Sequence, residues 1–263
     1  MLLTVAARDT AIVFGLYTGR GESAKLLRDW RMRTDPHLTA DELALTMRGM
    51  LGEHADEITG AAVLSTVPQL RRELRTMLHE YYRDVPKVII EPGVRTGVPL
   101  VVDNPKDVGG DRLVNALAAH RIQPDRPCIV VDFGTATVVD AVSAKGEFLG
   151  GAFAPGIEIS LEALATRAAS LRTVELVRPR SVIGKTTVEC LQAGVLYGFA
   201  GQVDGLVSRV ADELSPDDPS AIDVIATGGL APMIRAESRT ISYYRPDLTL
   251  LGLRYAYERN VVE

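Results

Sequence analysis

Three short segments carry residue types that could do chemistry on a phosphate or an alcohol. Asp132-Phe133-Gly134-Thr135 sets an acid, a glycine and a hydroxyl between two apolar runs. A tight turn of this composition presents backbone N–H groups to an anion, and the glycine lets oxygens come close. The acid beside it can hold a cation that offsets phosphate charge. The same four residues also suit an ordinary hairpin whose Asp and Thr satisfy turn hydrogen bonds. The second segment, Asn104-Pro105-Lys106-Asp107-Val108-Gly109-Gly110-Asp111-Arg112, puts two glycines ahead of a helix start. Free N–H groups there suit an anion. Asp111 could take a proton from an alcohol, and Arg112 could grip a carboxylate through paired N–H bonds. An acid in a first helical turn also simply complements the helix dipole. The third, Ala226-Thr227-Gly228-Gly229, ends a strand in two glycines, which allows a ring or ribose to approach but equally marks a helix entry.

These segments need a frame, and an internal echo points to one. Shifted back by 126 positions, Ile129–Asp140 meets Leu3–Phe14, with the apolar flanks kept but Ala6 in place of Asp132 and Arg8 in place of Gly134. Around that echo, alternating and helical spacings order the chain. Met1–Val5 and Ala11–Tyr17 read as a hairpin, continued by Leu26–Thr34. Thr39-Ala40-Asp41-Glu42 is a capping box opening a helix with Leu43, Leu45, Met47 and Leu51 on its apolar side. Ala61–Leu64 reads as a strand, and Pro68 suits the first turn of a helix to about Tyr82. Val88–Glu91 is a strand and Asp111–Ile122 a helix. The second half repeats the plan with Cys128–Phe133, Thr137–Ser143 and Glu147–Ala154. Helices follow over Glu158–Ser170 and Thr187–Leu214, the latter with Val188, Leu191, Val195, Phe199, Val203, Leu206 and Val210 at helical spacing. Ile222–Ala226 reads as a strand and Gly252–Asn260 as a closing helix. Strands and helices alternating in two similar halves imply an α/β protein of two similar domains. The expected division is 1–120, carrying the first turn and the Gly-x-Asp-Arg segment, and 121–263, carrying the second turn, the Thr-Gly-Gly loop and the long helix.

Bulk properties narrow the class. Over 263 residues, 46% are apolar and 24% charged, with net charge −5 and no long basic run. A nucleic-acid or anionic-membrane partner normally leaves a basic stripe, so neither is expected. Cys128 and Cys190 sit in apolar and helical runs, are expected to be buried, and suit a reducing cytoplasm. His37, His54, His79 and His120 lack ligand spacing. No Gly-x-Ser-x-Gly elbow is present, and Gly184-Lys185-Thr186 lacks the upstream glycine of a Walker loop.

The order and spacing of the segments together resemble the type III pantothenate kinase family nearly from end to end. The residues that carry the likeness are Met1-Leu2-Leu3, Thr10, Val13-Phe14-Gly15-Leu16, Asn104-Pro105, Gly109-Gly110-Asp111-Arg112 and Asp132-Phe133-Gly134-Thr135-Ala136. It continues through Gly150-Gly151, Pro155-Gly156, Gly184-Lys185-Thr186-Thr187-Val188-Glu189, Ala226-Thr227-Gly228-Gly229 and Leu248–Leu253. The resemblance implies two actin-like (ribonuclease H-like) domains from an internal duplication. It also implies transfer of the ATP γ-phosphate to the primary hydroxyl of pantothenate, the first step of coenzyme A synthesis. It assigns Asp111 as general base, with Gly109, Gly110 and Arg112 lining the pantothenate site and Thr187 reaching it across a homodimer interface. Thr10 and Thr135 fall to ATP with Mg²⁺ and Asp132 to an activating K⁺ or NH₄⁺; Gly228 and Gly229 of the Thr-Gly-Gly loop join the ATP site, and Asp9, where the family has asparagine, could serve there as a displaced metal ligand. The family's first turn reads Asp-x-Gly-Asn-Thr, where this chain has Ala6-Ala7-Arg8-Asp9-Thr10, and Val102 stands where the family places a tyrosine. The missing acid at position 6 and any left-handed strain at Arg8 would lower activity or abolish it. An alternative reading is therefore a catalytically inactive homologue acting as a ligand-binding or regulatory protein.

Overall fold

The computed structural model describes residues 1–168 and 174–262. The chain divides into two compact units, Met1–Pro99 with Asp103–Ala118 and Asp247–Glu263, and Leu100–Val102 with Ala119–Pro246.

The first unit is built on a five-stranded sheet. Its strands are β1 (Leu2–Ala7), β2 (Ala11–Thr18), β3 (Lys25–Arg33), β4 (Gly60–Ser65) and β5 (Lys87–Ile89), in the order β3-β2-β1-β4-β5. β1 runs antiparallel to β2 and parallel to β4. A central strand covered on both faces reads as a largely apolar run: Leu3 to Ala7 are all buried, and the Thr4 hydroxyl donates to Gly15 O at 3.2 Å. One face, with Leu3, Val5, Ile12 and Phe14, packs on α1 (Ala40–Leu51) and α2 (Pro68–Tyr81) through Leu43, Met47, Leu70 and Leu74. The expected capping box forms: Thr39 Oγ1 accepts from Glu42 N, and Glu42 Oε2 accepts from Thr39 N at 2.9 Å. The Thr39 N–H, and after it the Thr39 hydroxyl donating to the same Oε2 at 2.9 Å, hold the Glu42 carboxyl below its ordinary range. Leu45, expected on the apolar side, is 76% exposed, because it projects away from the stripe of Leu43, Met47 and Leu51.

The closing helix, α7 (Leu248–Tyr257), belongs to this first unit, which corrects the expected 1–120 and 121–263 division. Three close approaches explain the docking. A Cβ at Gly15 of β2 would stand 2.9 Å from Leu250, one at Gly252 would stand 2.0 Å from the Val114 carbonyl, and one at Gly60 would strike the Tyr257 ring. Glycine at Gly15 and Gly60 lets the helix close on the sheet, and at Gly252 on Val114. The buried Thr249 hydroxyl also donates to Asn115 Oδ1 at 2.8 Å. Val114 and Asn115 lie on α3 (Gly110–Ile122), so α3 and α7 pack together. The boundary between the units falls inside α3, upstream of the expected Gln123–Pro127 linker.

The second unit repeats the plan with β6 (Cys128–Phe133), β7 (Ala136–Val142), β8 (Phe148–Pro155), β9 (Asp223–Thr227) and β10 (Tyr243–Tyr244), in the order β10-β9-β6-β7-β8. β6 is antiparallel to β7 and parallel to β9, as β1 is to β2 and β4. This is the duplicated actin-like α/β fold. The repeat has one internal step: Ala7 faces Ile12, whereas Phe133 faces Thr137, so the shift of 126 on the first strand becomes 125 on the second. The first turn therefore holds Arg8, Asp9 and Thr10, and the second only Gly134 and Thr135. Helices α4 (Ile157–Arg167) and α5 (Thr187–Leu214) cover one face through Ile157, Val195, Leu196, Val203 and Val207. The last residues of the expected Glu158–Ser170 helix lie outside the described residues. Val188 is 48% exposed, so the buried stripe of α5 begins beyond it. A short α6 (Ala231–Arg235) and β10 were not legible as separate elements.

The two thiols differ, against the expectation that both are buried. Burial, with Asp223 nearby, pushes the Cys128 thiol up to about 12, while Cys190 is exposed near the head of α5. A thiol reagent at pH 8 should therefore label Cys190 alone in the folded protein and Cys128 only after denaturation, since the thiolate is the reactive form. Labelling of Cys128 under native conditions, read by peptide mapping, would contradict this burial.

Candidate active site

In the first unit the turn after β1 and the head of α3 come together. The turn is closed by Arg8 N donating to Ala11 O at 3.0 Å and braced by Thr34 Oγ1 donating to Arg8 O at 2.5 Å. Arg8 is not among the residues with positive φ, so the expected strain of a non-glycine there is absent. Asp9 and Thr10 are exposed at the tip, and Ala6 is 2% exposed beneath it.

At the head of α3, Leu113 N donates to Gly109 O at 3.2 Å, which makes Gly110 the first helical residue and sets Asp111 in the first turn. Negative charge is favoured there by the free N–H groups. The carboxylate folds back over Gly109: a Cβ on that residue would sit 2.7 Å from Asp111 Oδ1. A Cβ on Gly110 would sit 3.0 Å from Ile90. The two glycines thus have different tasks, one leaving room for the carboxylate and the other seating the helix on the sheet edge. Arg8 Nη2 lies 3.2 Å from Asp111 Oδ2, with the side chains 25% and 13% exposed. Sequence reading assigned Arg8 a possible strain. Its pairing with the expected base left no local signal, because the partners lie 103 residues apart. Arg112 is half-buried beside Asp111.

In the second unit, Asp132, next to last in β6, is 4% exposed and level with Thr227 of β9. Thr135 sits in the two-residue turn, where Gly134 N donates to Ala136 O at 3.1 Å. Gly228 has φ +96°, and a Cβ there would lie 2.3 Å from Phe133 O, so this loop closes against the end of β6. Gly229 follows on the surface. Asp132, Thr135 and Gly228 therefore share one end of this sheet. Gly156, to which no role was given, completes that end. Its N–H donates to Thr135 O at 3.0 Å, and a Cβ on it would lie 2.2 Å from the same oxygen and 2.4 Å from Gly134 O. The signal was the Pro155-Gly156 pair after a strand, too common to stand out alone.

Thr187 lies elsewhere in this unit, exposed as the first residue of α5. Thr186 caps that helix by accepting from Glu189 N, and Glu189 accepts from Lys185 N at 3.0 Å and from Arg180. The Lys185 N–H foremost, then Arg180, holds the Glu189 carboxyl below its ordinary range. Val102 belongs to this unit too, with Cγ1 3.8 Å from the Cβ position of Gly150.

A duplicated actin-like fold with a carboxylate at a helix head in one unit and a glycine loop at a sheet end in the other offers groups of the kind a kinase uses. A sequence model of type III pantothenate kinase matches residues 2–209. Type III pantothenate kinases from Saccharopolyspora erythraea and Rhodococcus erythropolis are 66% and 65% identical, covering 99% of this chain and 99% and 96% of theirs. That from Mycolicibacterium smegmatis is 55% identical, covering 99% of this chain and 96% of its own. The chain belongs to the type III pantothenate kinase family. Among solved structures, a proposed 2-dehydro-3-deoxygalactonokinase from Sinorhizobium meliloti shares the fold at TM-score 0.57 and 12% identity, covering 99% of this chain and 97% of its own.

The seating of Gly156 makes a checkable statement. Gly156→Ala forces a methyl group into two carbonyl oxygens of the second turn, so the turn must open. Overpacking of this kind typically destabilises by roughly 1–3 kcal/mol. ATP affinity, measured by calorimetry, should fall at least tenfold. Unchanged affinity would separate this turn from the nucleotide.

Proposed function

We propose that this protein phosphorylates pantothenate at its primary hydroxyl, with ATP as donor, and so opens coenzyme A synthesis. The observation that carries this reading is the carboxylate of Asp111, held at the head of α3 over Gly109 and paired with Arg8 beside the first turn. In the reaction Asp111 takes the hydroxyl proton, the freed oxygen bonds the γ-phosphorus, and the β–γ bridging bond breaks with its electrons leaving on ADP. Phosphoryl transfer asks mainly for positioning and charge compensation, and the site residues are of those types. Gly109, Gly110 and Arg112 line the pantothenate site, Arg112 gripping its carboxylate. Asp9, Thr10, Thr135, Gly228 and Gly229 contact ATP with its Mg²⁺.

A buried acid at a strand end suits a monovalent cation, and Asp132 is assigned to K⁺ or NH₄⁺ on that ground. The working assembly is a homodimer in the cytoplasm, with Thr187 contributed to the partner's pantothenate site. Exposed Val182, Ile183 and Val188, which surround Thr187 in sequence, supply the apolar surface such a contact would cover. No helix among the described residues is long and apolar enough to cross a membrane. Of the two grounds for an inactive homologue, strain at Arg8 is absent and the missing acid at position 6 remains; membership of the kinase family favours the active reading.

The purified protein with pantothenate, Mg·ATP and K⁺ should form 4′-phosphopantothenate, followed by mass spectrometry. Asp111→Asn should lower turnover by at least roughly 10²-fold, the lower bound usual for a general base, with an unchanged circular dichroism melt. Turnover retained in that variant would remove Asp111 from the base role. Sedimentation should give a dimer that Ile183→Asp shifts to monomer, and a monomeric parent would reject the assembly.

A further inference from the structure

The first turn does not fit a divalent ion held by a protein acid. Position 6, where the family pattern has aspartate, is a buried alanine with no side-chain oxygen to offer. Asp9 is exposed at the tip, and Asp111 already meets a guanidinium. Among the described residues no group of three or more His, Cys, Asp or Glu could hold a metal ion. What the turn offers is a fixed positive charge.

We propose that Arg8 is the positioning residue of the base, a role that rests on the phosphorylation reading above. The argument is geometric. The backbone of Arg8 is locked at both ends, its N–H on Ala11 O and its carbonyl under the Thr34 hydroxyl, so its side chain starts from a fixed point. Its contact with Asp111 is through Oδ2, at 3.2 Å. The other oxygen, Oδ1, lies over Gly109, where only the absence of a Cβ admits it. A carboxylate carries about four lone-pair sites, so one N–H at Oδ2 restrains the group and leaves the lone pairs of Oδ1 to take a proton. Asp111 is joined to a three-residue turn that the second unit does not have. The longer first turn gives Arg8 its place, and the guanidinium in turn orients the carboxylate at the helix head.

The test uses the full chain and two readouts. In steady-state turnover, Arg8→Ala should lower kcat roughly 10²-fold, the usual scale for a misplaced catalytic group. KM for ATP should change less than threefold. Millimolar guanidinium chloride should restore part of that kcat saturably, which a merely structural role would not allow. Arg8→Lys, which keeps the charge, should retain more activity than Arg8→Ala. In pantothenate binding by calorimetry, Arg8→Ala should weaken affinity several-fold when Asp111 is present and leave it unchanged in the Asp111→Asn background. Equal weakening in both backgrounds, or a kcat unmoved by Arg8→Ala, would overturn the role. A parent that binds pantothenate without turning it over would reject the kinase reading alone, and the binding cycle would still decide Arg8. A parent that does neither would overturn both.

Discussion

Each sheet is organised by a central strand bonded antiparallel to the strand that follows it and parallel to one that arrives later. β1 has β2 and β4 as neighbours, and β6 has β7 and β9. The antiparallel neighbour fixes a tight turn at the carboxyl end of the central strand. The parallel neighbour brings a second loop to that same end, because parallel strands finish together. The convergence of Gly228 with Asp132 and Thr135 follows from this pairing. Both central strands are buried on two faces, so they read as apolar runs and tolerate little else. Chemistry is left to the residues just beyond them.

Much of this frame was legible because its signals are local. The echo at 126 residues located both hairpins, and the Thr39–Glu42 box and Pro68 fixed two helix starts that the structure keeps. The fold class followed from the alternation itself. The candidate residues were found through their types and through the family resemblance. Their grouping became visible only in three dimensions, as with Gly109, whose missing Cβ makes room for Asp111 Oδ1.

The unread parts are those settled by distant contacts. Nothing near Leu248–Tyr257 says that this helix joins the first unit, since Gly15, Gly60 and Val114 decide it. The exposure of Leu45 and Cys190 depends on which face the neighbours cover, and composition does not report that. The repeat itself misled by one residue. Aligning the two motifs at a constant shift sets Arg8 opposite Gly134 and suggests that Arg8 occupies a glycine's backbone. The strand registers show instead a longer turn with a conformation open to any side chain.

That extra residue bears on the charge balance of the site. The Asp111 carboxylate, 13% exposed, meets the Arg8 guanidinium at 3.2 Å. In the family pattern the first turn carries an acid and a glycine, so a cation must be recruited to offset both that acid and the phosphate. Here the acid has become alanine and the glycine arginine, which removes one negative charge and adds one positive charge beside Asp111. The two differences act in the same direction on local charge, and a guanidinium stands 3.2 Å from the Asp111 carboxylate. Restoring an acid at position 6 while Arg8 remains would set a carboxylate near the guanidinium as a competitor to Asp111. The two positions are therefore best understood as a coupled pair.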